Sequence, residues 1–170
     1  MPTVIATVGS DSANSYVTVA ETTVYFAESF GRSLWANASQ SDLEAAVITA
    51  SRSLDQYIDW IGFKSTVEQS MEWPRYGAYD KTGIEYSNSI VPGPVKFATM
   101  ELAYFILQNG GLAFDSQMID RVKVGSLDVE FTPRSVDAGI PSFIESLISH
   151  IGNSSLVDTS MARSVDLIRS

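Results

Sequence analysis

Residues 92–111 read PGPVKFATMELAYFILQNGG, and this stretch decides the fold. Proline at its start fixes a backbone angle that suits the first turn of a helix, and the two glycines at its end are typical of a helix terminus. Between them, residues 95–109 leave almost no polar face. A helix that is apolar on nearly every side must be surrounded by protein, so the sequence predicts a central, buried helix here.

Two capping boxes predict the starts of two further helices. Thr18 is followed three residues later by Glu21, and Ser41 by Glu44, so the side chains of each pair can satisfy free N–H groups of a first turn. After the second box, apolar residues keep a helical period as far as Gly62. We therefore expect a short helix followed by a long one.

Two segments predict β-structure. Residues 3–8 are β-branched and apolar, which favours a short N-terminal strand. Residues 121–131 alternate on both sides of Gly125-Ser126, a two-residue turn with glycine first that is typical of a type II′ hairpin. With a last helix over residues 141–151, the predicted fold class is mainly α: a small bundle of about four helices with a β-hairpin extension and a short N-terminal strand.

The composition excludes several classes of protein. The chain has 170 residues, of which 45% are hydrophobic, enough for one domain with its own core. Its formal net charge is −9 and the Lys and Arg residues are scattered, so no basic patch for phosphates is visible. Cysteine is absent, which excludes disulfides and fits a reducing cytoplasm. We expect no export signal and no membrane partner.

The residues give no catalytic, cofactor or metal site. His150 is the only histidine, and neither a Gly-x-Ser-x-Gly elbow nor a phosphate-binding glycine loop is present. Asp55 and Asp59 are one helical turn apart and could pair as acid and base or bind a cation. Because Arg52 is also one turn from Asp55, we interpret them as a solvated helix face. The sequence therefore predicts a protein that is not an enzyme.

Residues 63–93 lack a sustained period but are rich in aromatic side chains, which predicts an ordered loop. Within it, Trp73-Pro74-Arg75 allows two interpretations. A tryptophan beside an arginine can stack bases of a single strand. Since no basic groove surrounds the motif, we favour the other interpretation, in which Trp73, Pro74 and Arg75 anchor the loop against the helices.

Two segments are candidates for partner contacts. A two-stranded hairpin is not stable alone in water, so we expect the one at residues 121–131 to form an oligomer or partner interface. Residues 1–152 are expected to form the domain, and residues 153–170 a flexible tail that becomes amphipathic on a partner. The candidate hairpin residues are Val122, Lys123, Val124, Gly125, Leu127, Val129 and Phe131, and those of the tail are Met161, Val165 and Ile168.

Seven stretches between residues 8 and 151 carry a resemblance to a known family. They include ANSYVTVAE at 13–21, MEWPR at 71–75 and KVGSLDVE at 123–130, and the others are residues 45–55, 60–62, 92–96 and 101–103. In this order they resemble the head-to-tail connector proteins of tailed phages, also called adaptor or head-completion proteins. Nothing after residue 152 takes part in the resemblance.

The resemblance implies a structural protein of the virion neck. Such a subunit forms a homo-oligomeric ring, with twelve copies expected, that binds the portal protein on one side and a downstream tail or nozzle protein on the other. Genomic DNA passes through the ring without sequence-specific binding. The expected location is the virion, and the host cytoplasm during assembly.

Relatives of this kind are sometimes labelled DnaT-like single-stranded-DNA-binding proteins, so a replication protein that coats single-stranded DNA is the alternative. A strand binder is expected to have a basic channel, whereas a ring through which DNA slides gains from an acidic wall. The net charge of −9 therefore favours the connector. A third hypothesis is an enzyme whose site the sequence does not reveal.

Overall fold

Five helices and six short strands are described by the computed structural model, which covers residues 2–111, 121–124, 127–130 and 140–155. The helices are α1 (Val19–Ala27), α2 (Ser33–Asn37), α3 (Gln40–Tyr57), α4 (Gly93–Asn109) and α5 (Ser142–Ile148). The strands are β1 (Ile58–Trp60), β2 (Phe63–Lys64), β3 (Arg75–Tyr76), β4 (Arg121–Val124), β5 (Leu127–Glu130) and β6 (Gly152–Ser154). Because the strands pair only into two-stranded antiparallel sheets, the described chain is mainly α, as predicted.

Helix α4 is the centre of the core, which confirms the prediction for residues 95–109. Val95, Leu102 and Ala103 are fully buried, and the helix packs between α3 and α5. Its end is set by Gly110, which adopts a positive φ of 71° and donates a backbone hydrogen bond to the carbonyl of Ile106. A residue with a Cβ would be strained in this left-handed conformation, so glycine ends the helix here.

Helix α3 begins and ends earlier than predicted. The Ser39 hydroxyl, two residues before the expected cap, accepts a hydrogen bond from the backbone N–H of Asp42 at 3.2 Å. The helix ends at Tyr57 because the next three residues form strand β1, in which Ile58 and Trp60 are buried on either side of an exposed residue. Apolar residues at this spacing fit both a helix face and a strand face, so the pattern alone did not separate them.

Strand β1 pairs antiparallel with β6, near the end of the described chain. Gly152 stands opposite Trp60, and a Cβ at Gly152 would lie only 2.5 Å from Cγ2 of Ile58, so the close approach of the two strands requires glycine. Beyond β6, the backbone N–H of Ser155 donates to the carbonyl of Tyr57 at 2.8 Å. The packed part of the chain thus continues at least to Ser155, past the boundary expected after residue 152.

The predicted N-terminal strand is absent among the described residues 3–8. A side chain takes the place of a partner strand there. Oδ1 of Asn14 accepts a hydrogen bond from the backbone N–H of Ile5, and its Nδ2 donates to the carbonyl of Thr3, both at 2.8 Å. These bonds satisfy the extended backbone without a sheet.

The predicted hairpin at residues 121–131 is confirmed as strands β4 and β5. Val122 pairs with Val129 and Val124 with Leu127, so the connection has two residues. The side chains of this hairpin lie outside the described residues. None of the described helices combines the length and the apolar composition that crossing a membrane requires.

Candidate functional site

The aromatic loop of residues 63–93 is anchored by the Trp73-Pro74-Arg75 motif, whose three residues are all buried. The peptide bond between Trp73 and Pro74 is cis. The Trp73 ring packs edge to face on Trp60 of β1, with 5.7 Å between the ring centroids. A ring buried in this way has no face free for a nucleic-acid base, so Trp73 itself cannot serve as a stacking surface.

Arg75 uses its guanidinium group inside the protein. Its Nε donates to the carbonyl of Ile61 at 3.0 Å, and its Nη2 donates to the carbonyl of Gly62 at 2.6 Å. Its Nη1 forms an ion pair with Glu72 at 2.7 Å. The side chain therefore fastens the turn between β1 and β2 to strand β3, and it is not available to a phosphate.

Strands β2 and β3 present two aromatic rings to solvent. Phe63 and Tyr76 are directly opposite each other in the antiparallel pair, so their side chains leave the same face of the hairpin. Phe63 is 78% exposed and Tyr76 is 44% exposed. The Tyr76 hydroxyl donates to the carbonyl of Ser65 at 3.1 Å, which restricts the orientation of its ring. We call the pair Phe63 and Tyr76 the aromatic platform.

The turn beside the aromatic platform is closely packed. Gly62 has a φ of 83°, and a Cβ built on it would lie 2.0 Å from the carbonyl oxygen of Tyr76. Only glycine fits at this position, both for its backbone angle and for the space available. The platform is thus held by backbone contacts and by Arg75 below it, and it does not depend on contacts between the two exposed rings.

Below this region, Asp55 has a buried carboxyl group, which corrects the interpretation of a solvated helix face. It accepts hydrogen bonds from the Tyr16 hydroxyl, from Nε1 of Trp60 at 3.3 Å and from the backbone N–H of Glu72 at 3.1 Å. Burial raises the pKa of Asp55 to about 6, although these hydrogen bonds act in the opposite direction. Asp59 is exposed on β1, so the two carboxylates do not form an acid–base pair.

His150 lies at the other end of this region, against the ring of Tyr86. Its Nε2 is 3.3 Å from the Tyr86 hydroxyl. Burial and the positive charge of Lys81 lower the pKa of His150, so the ring is neutral at pH 7. No nucleophile lies among its hydrogen-bond partners within the described chain.

The electrostatics of the described surface do not favour a polyanion. Four cations are bound to carboxylates: Arg32 to Glu101, Lys64 and Arg75 to Glu72, and Lys96 to Glu21, at distances between 2.7 and 3.0 Å. Arg52 and Lys81 are exposed and form no ion pair with a described residue. Phosphate contacts from this part of the chain are therefore few.

Several predicted contact residues cannot be placed against this site. The candidate tail residues lie outside the described residues, as do Gly125 and Phe131 of the hairpin and every hairpin side chain. Their proposed roles in binding stay predictions. Those residues are Val122, Lys123, Val124, Leu127 and Val129 of the hairpin, and Met161, Val165 and Ile168 of the tail.

Comparison with protein families gives a match over residues 1–164, to the family described as "Putative DnaT-like ssDNA binding protein". Comparison with curated proteins and with solved structures gives no significant match.

The family match corrects the resemblance to phage connectors, which is wrong. The expectations that followed from this resemblance are wrong as well. They were a function in the virion neck, a ring bound to portal and nozzle proteins, and the passage of DNA without binding. A net charge of −9 does not exclude binding of a single strand, because bases also bind through their faces, which carry no charge. Since the match spans nearly the whole chain, the protein belongs to this DnaT-like family.

Proposed function

We propose that the protein binds single-stranded DNA and that the aromatic platform, Phe63 and Tyr76, is the surface on which bases stack. The exposure of Phe63 is the observation that carries the proposal. A phenylalanine that is 78% exposed at a fixed position of a hairpin loses the benefit of burial in the free protein. A second exposed ring on the same face makes the pair a surface that a flat ligand can cover.

The family description and the charge of the chain together favour stacking over phosphate contacts. The net charge is −9, and four of the described cations are already bound to carboxylates. Stacking of a base on an aromatic side chain contributes about 1–3 kcal/mol and needs no cation. Two rings would then contribute about 2–6 kcal/mol, which supports weak to moderate binding without a basic groove.

The construction of the hairpin suits this role. Opposite residues of an antiparallel pair have Cβ atoms about 5 Å apart, so the two rings can each take one of two neighbouring bases. Arg75 and Gly62 fix the backbone beneath the rings. A surface that is ordered before binding loses less conformational entropy when a strand binds.

We also propose that binding involves no catalysis and takes place in the cytoplasm. Support for the first point comes from Asp55 and His150. The Asp55 carboxyl group is buried among hydrogen-bond donors of the protein itself, and the hydrogen-bond partner of His150 among the described residues is the Tyr86 hydroxyl. The absence of cysteine supports the second point.

The test is a fluorescence anisotropy titration of a labelled oligothymidine with the wild-type chain and with Phe63→Ala. We expect Phe63→Ala to weaken binding by about tenfold, because it removes one stacking face. Tyr76→Phe, which keeps the ring, should bind like wild type, and Tyr76→Leu should not.

Phe97→Ala is the matched control. Phe97 is 45% exposed on α4, away from the platform, and its loss should leave binding unchanged. Equal losses in Phe63→Ala and Phe97→Ala would show a general effect of surface rings. Unchanged binding in both Phe63→Ala and Tyr76→Leu would contradict the assignment of the platform.

A further inference from the structure

A pocket with a volume of about 420 Å³ lies where α1, the start of α2, α4 and α5 meet. None of its lining residues belongs to the aromatic platform. Its volume is in the range of small-molecule sites, and it combines apolar walls with a few polar groups, as such sites do. The charged, tyrosine and phenylalanine side chains of its lining are Tyr25, Arg32, Glu101, Tyr104, Phe105 and Phe143.

The polar wall of this pocket is an ion pair held in one geometry. Nη2 of Arg32 donates to Oε2 of Glu101 at 2.7 Å, and the Tyr25 hydroxyl donates to Oε1 at 2.9 Å. The guanidinium group of Arg32 lies over the ring of Tyr104, 4.4 Å from its centroid. Both charged groups are therefore positioned before any ligand arrives, and their charges cancel.

Two groups in this wall form fewer hydrogen bonds than they can: the Arg32 guanidinium and the Glu101 carboxylate. Nε of Arg32 is buried and has no hydrogen-bond partner among the described residues. This N–H is closed to solvent, so a ligand reaches it only when the Arg32 side chain shifts, and an acceptor on the ligand would then pair an otherwise unpaired donor. Each oxygen of Glu101 has one described donor and can accept a second hydrogen bond.

Another part of the pocket lining is aromatic. Phe105 and Phe143 contact each other with 6.4 Å between their ring centroids, and Phe143 is 49% exposed at the rim. A ligand for this pocket should thus be flat and uncharged, with donors and an acceptor along one edge. Nucleobases have this combination of properties.

We propose that this pocket binds one unstacked base of the DNA strand, with its face on Phe143 and its edge on the Arg32–Glu101 pair. The proposal rests on the proposed function, since it assigns the pocket to the same ligand class at a second position. Guanine matches the pair best: its N1–H and amino group offer adjacent donors to Glu101, and its neighbouring O6 offers an acceptor to Arg32. The pocket would then give the protein a preference among bases that stacking alone does not supply.

The test is saturation-transfer NMR on the full chain with the four free deoxynucleosides, which carry no phosphate. We expect deoxyguanosine to bind best and Phe143→Ala to weaken its binding by about tenfold. Tyr79→Ala, which removes an equally exposed ring outside the pocket, should have no effect. Glu101→Gln should reduce the preference for deoxyguanosine, because an amide replaces one acceptor with a donor.

The outcomes separate this proposal from the proposed function. Phe63→Ala should weaken oligothymidine binding and leave deoxyguanosine binding intact. If oligothymidine does not bind but deoxyguanosine does, the platform assignment fails and the pocket stands. The pocket is not a base site if no deoxynucleoside binds or if Phe143→Ala leaves deoxyguanosine binding unchanged. Binding of indole as tight as that of deoxyguanosine would also contradict the proposal, and it would indicate a groove for an apolar protein side chain.

Discussion

The substitution Tyr16→Phe tests how the buried network beneath the aromatic platform is held together. The Tyr16 ring is buried, and its hydroxyl donates to Asp55 and accepts a hydrogen bond from the backbone N–H of Trp73 at 3.3 Å. Phenylalanine keeps the ring and removes only the oxygen. Both polar partners are then left with one hydrogen bond fewer inside the protein.

The expected loss follows from these two hydrogen bonds. A hydrogen bond to a charged group contributes about 1.5–3 kcal/mol, and leaving a buried N–H unpaired costs about 1–3 kcal/mol. Since Asp55 can take up a proton and so avoid part of the first loss, we expect Tyr16→Phe to lower the free energy of unfolding by about 3 kcal/mol above pH 7.

The loss should depend on pH in a defined direction. The pKa of Asp55 in the folded protein is about 6, above its ordinary value of 3.8, so the folded state holds this proton more tightly than the unfolded state does. The stability that this proton contributes is complete below pH 3.8 and is lost as the pH rises through about 6. The Tyr16 hydroxyl supports the ionised carboxylate, so its removal should cost more at about pH 8 than at about pH 5.

Urea unfolding followed by circular dichroism at these two pH values measures the effect. Tyr79→Phe is the matched control, because Tyr79 is 48% exposed and its hydroxyl forms no hydrogen bond with a described residue. It should change stability by less than about 0.5 kcal/mol at either pH. A loss of less than about 1 kcal/mol in Tyr16→Phe, or an equal loss at both pH values, would refute this account of the network.

Two further substitutions test the packing around the platform by urea unfolding. Arg75→Lys should lower the free energy of unfolding by about 2 kcal/mol, because an ammonium group cannot reproduce the planar set of donors, while Lys64→Ala removes a half-exposed ion pair and should lose less than about 1 kcal/mol. Similar losses in these two variants would contradict the role given to Arg75. Gly152→Ala should lower stability by about 1–3 kcal/mol, since its Cβ would lie 2.5 Å from a side-chain atom of Ile58. Gly93→Ala, where the nearest contact would be an ordinary 3.5 Å, should change little, and equal stability of both alanine variants would contradict the close strand approach.

The elements that could be predicted from the sequence are those fixed by local signals. The capping box of Thr18 and Glu21 is present at the start of α1, where both of its hydrogen bonds form. Helix α4 is set by proline before it, glycine after it and apolar residues between. The pairing of β4 with β5 was indicated by the alternating residues on both sides of a glycine in the sequence. Each of these signals lies within a few residues of the structure that it determines.

The errors concern contacts between distant parts of the chain. Strand β1 forms because β6, more than ninety residues later in the chain, pairs with it. The sequence around Ile58 contains no local pattern that predicts this pairing. Asp55 is buried because Tyr16, 39 positions earlier, reaches its carboxyl group. Without these partners, a carboxylate at helical spacing next to an arginine is most simply interpreted as exposed.

The aromatic platform shows the same limit within one loop. From the sequence, Tyr76 was expected in an ordered aromatic loop of which Phe63 is the first residue. The sequence did not show that these two residues lie opposite each other. Phe63 and Tyr76 are opposite each other because of the register of β2 with β3, two strands joined by an irregular connection. The contacts of Arg75 and Gly62 set this register. The signal that was available is the occurrence of glycine directly before Phe63 and of the anchoring motif directly before Tyr76.

The most direct test of the central claim is the salt dependence of single-stranded-DNA binding by the wild-type chain. Binding of a single strand through phosphates weakens with salt, and the logarithmic slope is about −0.7 for each phosphate neutralised. Among the side chains that the structure describes, Arg52 and Lys81 are the cations outside ion pairs, and together they contribute a slope of about −1.4 at most. Stacking on Phe63 and Tyr76 therefore predicts measurable binding with a shallow slope. The absence of binding even at low salt, or a slope several times steeper, would contradict the claim that the chain holds a strand by its bases.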